Sequence, residues 1–457
     1  MQYADLVIRA RDWQDGRFKV EVTASPMDRM REPEVVGQKT TLARRLRNVE
    51  RKQISAAELR ALGTDLSAML LPGTVRQMLL ASLAALPADQ GLRLRLVLDD
   101  LRVANLPWEY IYLPPATDQD GPSGFLSLDP RISLVRHEAI PMPPGSVAAQ
   151  LPLKLVVGFA APSQFPWLDL HAEREHIESA LGGVEGVEIS FVEHLTLERL
   201  EAACEGAHMF HFAGHGSFIW QDGTQTAGSG TIYLEDEHGD TQPLEVDRLA
   251  LTLRRAGVRV VLLGGCETGR RDGVNAWSGI APALMHVGIP AAVAMQYAIY
   301  DDAAIAFARR FYQALAVGLS LDEAVTAGRL AILNCGRPND VEWGVPVLYM
   351  RSADGVIFPE VSHDPALEAA RFRERVRVTQ RVKELRDRLT GIEVADAPAA
   401  GLDVCQEIAA VAPGGQAIGA RIEQVAAGVI RADQRVEWVG PGGRLTGVSV
   451  QRLGRRE

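Results

Sequence analysis

His208-Met209-Phe210-His211-Phe212-Ala213-Gly214-His215-Gly216 and Val260-Val261-Leu262-Leu263-Gly264-Gly265-Cys266-Glu267-Thr268-Gly269 decide how this chain is read. Each is a short apolar run that ends in small residues and then presents one reactive side chain. Runs of this kind are expected of strands covered on both faces, as in a parallel sheet. In such a sheet, reactive groups collect where strands end and loops begin. His215 and Cys266 both fall at such ends. They are 51 positions apart (266 − 215), which leaves room for a loop, a helix and a return strand.

A cysteine thiol with a pKa near 8.5 is mostly protonated at neutral pH, and a neighbouring imidazole favours its thiolate. The pair therefore reads as a nucleophile, Cys266, and a general acid and base, His215. The backbone N–H groups of Gly216 and Cys266 are the candidate oxyanion donors. Glycines at 214, 216, 264 and 265 would allow unusual backbone angles and close approach of a peptide. His208 and His211 share the His215 strand. Aromatic residues flank His211, so it is read as buried. His194, Cys204 and Cys335 have no comparable setting.

Working outward, the pattern on both sides is α/β. Leu153-Lys154-Leu155-Val156-Val157-Gly158-Phe159 reads as a buried strand and Leu170 to Leu181 as a helix. Val187 to Val192 reads as a strand, and Thr196 caps a helix to Glu205. After the His215 strand come a loop, a helix near 246–256 and the Cys266 strand. Ile289 to Met295 is a strand, Asp302 to Ala316 and Ser320 to Leu333 are helices, and Val345 to Tyr349 closes the sheet. Strands alternating with helices predict a mostly parallel sheet with flanking helices. Upstream, residues 5–24 read as a β-hairpin and residues 40–87 as helical. Leu92 to Leu98 alternates as a half-buried strand, and the aromatics of Leu106-Pro107-Trp108-Glu109-Tyr110 read as packing anchors.

Beyond a boundary near 355–364, the spacing of Val378, Val382, Leu385 and Leu389 predicts a basic amphipathic helix over 364–391. Residues 400–457 contain a repeat. Pro413-Gly414-Gly415 and the run after it match Pro441-Gly442-Gly443 and its run at an offset of 28 (441 − 413). Two β-hairpins in a small module are expected there. The organisation predicted is thus 1–148, a core over 149–356, a helix over 364–391 and a β module over 400–457.

Composition sets the bounds. At 457 residues, about three domains or subdomains are expected. A net charge of −10 argues against direct nucleic-acid binding. Cys204, Cys266, Cys335 and Cys405 are scattered with no CxxC pair, so neither a zinc site nor a disulfide framework is suggested. The start lacks a basic-then-apolar signal pattern, and no run reaches about 18 uninterrupted apolar residues. These features predict a cytoplasmic protein without a membrane span, in a reducing compartment that keeps a thiol free.

The run Phe210 to Gly216, followed by Cys266-Glu267-Thr268-Gly269, resembles the CHAT family of bacterial caspase-like cysteine peptidases of clan CD. Ala281 to Gln296, Ala303 to Tyr312, Trp343 to Tyr349 and Leu106 to Tyr110 are similar to it too. The resemblance covers roughly residues 1–355. It implies a caspase-like sheet with a preceding α/β subdomain, and a His215–Cys266 dyad with Gly216 beside the oxyanion site. It further implies endopeptidase activity on a protein substrate with no cofactor and no metal. Members are often latent until a sensor responds, frequently in prokaryotic antiviral defence, and some cut gasdermin-like pore-formers. No sensor array is legible in this sequence, so a separate sensor or activator protein is expected to contact 364–457. Related peptidases select a charged residue on the amino side of the scissile bond. Asp301 and Asp302, following Gln296, would favour Lys or Arg there; the competing reading is that Asp302 only caps a helix. The alternatives are a catalytically silent scaffold of the same fold and a different cysteine enzyme, such as an amidase or acyltransferase with a small substrate.

Overall fold

The computed structural model describes every residue except 39–41, 115–123, 137–148, 150, 166–169, 182–183, 185, 221–227, 265–275, 336–340, 353, 360, 362–375, 386–387, 398–401, 412–415, 426–429, 440–443 and 454–457. Two compact units divide the chain. One holds residues 1–332 and 339–362; the other holds 333–338 and 363–457.

The larger unit opens with strands β1 (Gln2–Gln14), β2 (Arg17–Ala24) and β3 (Glu34–Gly37). Asp15 and Gly16 both have positive φ (49° and 77°), which turns β1 back on β2 in the sense that suits a two-residue hairpin. Helices α1 (Leu42–Glu50), α2 (Ala56–Leu70) and α3 (Gly73–Ala85) fill the region read as helical. Ser55 and Glu58 form a capping box at the start of α2. Then come β4 (Gln90–Leu98), α4 (Leu101–Ala104), the small pair β5 (Tyr112–Leu113) and β6 (Gly124–Phe125), and β7 (Ile132–Arg136).

The α/β alternation follows: β8 (Leu153–Ala160), α5 (Leu170–Leu181), β9 (Val187–Val192), α6 (Leu197–Cys204), β10 (Met209–Trp220), β11 (Gly228–Glu235), β12 (Thr241–Glu245), α7 (Val246–Ala256) and β13 (Val260–Gly264). It ends with α8 (Ala276–Val287), β14 (Ala291–Met295), α9 (Asp301–Ala316), α10 (Leu321–Leu333) and β15 (Pro346–Met350). Among the described residues no single helix is long and apolar enough to cross a membrane.

One large mixed sheet joins these strands in the order β12-β11-β10-β13-β14-β15-β7-β4-β1-β2-β3, with β8 also on β10 and β9 on β8. The pairs around the site, β9–β8, β8–β10, β10–β13 and β13–β14, are parallel. Residues 1–148 and 149–356 both contribute strands to this one sheet, because β15 pairs with β7. For the same reason β15 does not close the sheet but lies inside it, antiparallel to β14.

The motif Leu106 to Tyr110 anchors the join. Trp108 Nε1 donates to Val103 O (2.9 Å), and the Tyr110 ring meets Trp343 edge-on at 5.1 Å. Buried Glu109 pairs with Arg136 (2.8 Å) and accepts from Gln296 Nε2 (2.9 Å). Arg93 on β4 is fully buried and reaches α10. Its guanidinium grips Asp322 through Nε (2.9 Å) and Nη2 (2.6 Å), and also meets Asp5 (3.0 Å). The half-buried strand expected at Leu92 to Leu98 is therefore buried on both faces, with Arg95 held by Asp5 (2.8 Å) and Ser352 O (2.7 Å).

The second unit overturns two expectations. Residues 376–397 form strands, β16 (Val376–Leu385) and β17 (Arg388–Ala397), where a helix was expected over 364–391; residues 364–375 lie outside the described residues. Four more strands follow: β18 (Leu402–Val411), β19 (Gln416–Val425), β20 (Ile430–Val439) and β21 (Arg444–Leu453). They are not hairpins. Consecutive strands alternate between two parallel sheets, β16-β18-β20 and β17-β19-β21. Each strand pairs with the next but one, at offsets of 28 (416 − 388, 444 − 416 and 430 − 402). The first pair is offset by 26 (402 − 376), because two residues rather than four separate β16 from β17. The repeat is therefore a coil of three turns, in which each turn supplies the hydrogen-bonding partner of the next.

Candidate active site

Strands β8, β10 and β13 run side by side, and their carboxyl ends form one rim. The register pairs Ala213 with Phe159 on one side and with Gly264 on the other. Phe210 and Phe212 enter the core with Leu200, Leu249, Leu253 and Leu284. The alternate residue, His211, is buried and lies 6.3 Å from the Tyr312 ring of α9. Burial pushes its pKa down to about 3, so it is neutral at ordinary pH, and its Nδ1 has no partner among the described residues. His208, at the start of β10, accepts from Lys154 N at 3.0 Å. Neither is placed for chemistry at the rim.

Past Gly214, β10 leaves the parallel ladder and pairs antiparallel with β11, with His215 opposite Tyr233 and Gly216 opposite Ile232. A Cβ on Gly214 would meet Ala160 O at 2.8 Å, so glycine permits close strand packing there. His215 is 4% exposed. Phe165 stacks on its imidazole at 4.8 Å and 23°, and lies 4.4 Å from the Tyr233 ring. Tyr233 OH is 2.7 Å from Ser217 Oγ.

The loop that carries Phe165 is tied to the β11–β12 turn. Ala161 N donates to Glu235 (2.8 Å) and Ser163 N to Gly239 O (3.1 Å). Asp240 Oδ1 accepts from Ser163 Oγ (2.9 Å) and Gln164 Nε2 (2.7 Å), and Thr241 N donates to Gln164 Oε1 (2.8 Å). His194 Nδ1 lies 2.8 Å from the other oxygen of Glu235. Nothing in the sequence marked Phe165; only the fold brings it to His215. Replacing it with alanine should cost about 0.5–1.5 kcal/mol beyond lost area. It should also move the His215 imidazole resonances, which Phe165→Tyr should leave nearly in place; NMR of the ring protons checks both.

Cys266, Gly265 and Glu267 to Asn275 lie outside the described residues. Gln296 is in the interior, its amide donating to Glu109 and to Gly344 O (2.7 Å). Asp301 begins α9, and exposed Asp302 is its second residue, accepting from Ala303 N at 2.9 Å; the N-cap position is Tyr300, so Asp302 does not occupy the cap weighed for it. The buried Cys204 thiol is pushed up to about 12 by desolvation, so it is not a nucleophile. Among the described residues, no group of three or more His, Cys, Asp or Glu is disposed to hold a metal ion.

The model of the CHAT domain family matches residues 60–375. No curated protein matches the chain. Two crystal structures of the Saccharomyces cerevisiae separase–securin complex are similar at 13% identity. One, at 2.6 Å resolution, has a TM-score of 0.34 over 59% of this chain and 16% of that one. The other, at 3.0 Å, has 0.31 over 56% and 15%. The Drosophila initiator caspase Dronc is similar at 9% identity and a TM-score of 0.28, over 54% of this chain and 95% of that one. The chain thus spans about one sixth of the separase chains that it matches.

Proposed function

The chain belongs to the CHAT domain family, and from that premise we propose that it is a cysteine-type endopeptidase, with Cys266 as nucleophile and His215 as acid and base. The observation that carries this reading is the strand register. Ala213 pairs with Gly264, and His215 and Cys266 each follow that pair by two residues in sequence. In the proposed reaction His215 takes the Cys266 thiol proton, and the thiolate attacks the scissile carbonyl carbon. The oxyanion is held by the backbone N–H groups of Gly216 and Cys266. His215 then protonates the leaving amine, and the C–N bond breaks to give a thioester. A water that loses its proton to His215 attacks the thioester and releases the acid product and the thiol.

The reading extends to a protein substrate, with a gasdermin-like pore-former as candidate. A separate sensor or activator would act through 364–457, in prokaryotic defence within the cytoplasm. Family membership supports these assignments. Asp301 and Asp302 are proposed to select Lys or Arg on the amino side of the cut; a scan of substrates at that position should show a basic preference.

The deciding experiment treats the protein with a peptidyl electrophile and reads the intact mass. One adduct is expected on Cys266, absent from Cys266→Ala and formed far more slowly by His215→Ala. Labelling of another cysteine, or an equal rate without His215, overturns the assignment. No labelling, with activator present, favours the catalytically silent scaffold.

A further inference from the structure

The three-turn coil carries charge in columns. Register places Arg377, Asp403 and Arg431 at one position of successive strands, and Arg381, Glu407 and Arg435 at another. Opposite charges directly across a sheet stabilise it and like charges do the reverse. Inside the coil both columns therefore alternate favourably, with the acidic strand β18 between two basic ones. Among the described residues, β16 has no strand on its other side. A strand edge with free N–H and C=O groups is a template for another strand.

We propose that the outer edge of β16 takes a parallel strand from a partner protein. That strand would carry Asp or Glu at two positions four residues apart, facing Arg377 and Arg381, with apolar residues around them in the manner of β18. A second copy of this chain fits poorly. Continuing the coil in register would set Arg431 of one copy against Arg377 of the next, and Arg435 against Arg381. In the other sheet it would set Arg444 against Arg388. Glu437 against Lys383 and Arg452 against Asp396 would be in favour, so three like-charge pairs stand against two opposite ones. Both ends are basic in the same columns, so the edge selects an acidic strand over its own kind. The inference gives a chemistry to the partner assigned above to 364–457, and it rests on the register of this unit, not on the dyad.

The test uses the full chain and a fluorescent peptide with the sequence of residues 402–411, under reducing conditions. Saturable binding that weakens with salt is expected. A peptide with arginine at the positions of Asp403 and Glu407 should bind roughly tenfold more weakly or worse. A chain with both columns inverted (Arg377→Glu, Asp403→Arg, Arg431→Glu, Arg381→Glu, Glu407→Arg, Arg435→Glu) keeps its internal alternation. It should reverse that preference, with its strand content checked by circular dichroism. No binding of the acidic peptide to the wild-type chain, equal binding of both peptides, or concentration-dependent stacking of the wild-type chain itself would each overturn the proposal. Electrophile labelling of Cys266 in the same samples reports the dyad separately.

Discussion

Asp322→Ala should lower the stability of the larger unit by about 3–5 kcal/mol, the range for removing one partner of a buried ion pair. Arg93 and Asp322 are both without exposed side-chain surface. Burial works against the charge on Arg93, but Asp322 and Asp5 more than offset it and hold the guanidinium pKa above its ordinary value. Deleting the carboxylate removes the closest counter-charge from a cation in the interior, where Asp5 and the Asp354 carbonyl (2.9 Å) are among its other partners. It also strips Ser133 Oγ of its acceptor. The loss would be seen as a lower denaturant midpoint. Arg93→Met combined with Asp322→Leu should recover much of it, since apolar pairs often replace buried ion pairs without loss. A double mutant no more stable than Asp322→Ala would show that the pair acts through something other than mutual neutralisation.

That pair also shows where the sequence is legible and where it is not. The alternation Leu92-Arg93-Leu94-Arg95-Leu96 reads as one wet face and one dry face. It is buried on both because Asp5, Asp322 and the Ser352 carbonyl come from distant parts of the chain to meet the arginines. The parallel core is easier, since long apolar runs and a local cap suffice. Thr196 accepts from Arg199 N at 3.2 Å at the start of α6, as its position implied. Strands β11 and β12 lie where the sequence predicts a loop, because Gly-, Thr- and Gln-rich sequence lacks the apolar run of a core strand. Yet β11 presents Tyr233 and Glu235, the residues that frame His215 and tie the Phe165 loop.

The C-terminal coil fails for a different reason. Val378, Val382, Leu385 and Leu389 fit a helical stripe, and nothing within 364–391 opposes it. What favours strands is the match between positions 28 apart, such as Gly391, Gly419 and Gly447. The shorter first turn, which lacks Pro-Gly-Gly, hides the first of the three turns. Period alone does not decide between helix and strand when pairing is non-local.

The two core histidines of β10 should separate cleanly under mutation and pH. His215→Ala should lower peptide cleavage by on the order of 10⁶-fold in kcat, as loss of the acid–base histidine does in a hydrolase with a covalent intermediate, while leaving the fold intact. His211→Leu should leave the chemistry largely in place and change the acid response of stability. Its folded pKa of about 3 lies below the ordinary 6.5. Between those values the unfolded chain binds a proton that the folded chain refuses, so the stability from neutral His211 is complete above about 6.5 and is lost as pH falls towards 3. The slope is about 1.4 kcal/mol per pH unit for one proton, and His211→Leu should remove it from denaturation midpoints measured across that window. Should His211→Leu abolish cleavage in a folded protein while His215→Ala spares it, the base would be the inner histidine, and β10 would have to expose a residue that the fold now encloses.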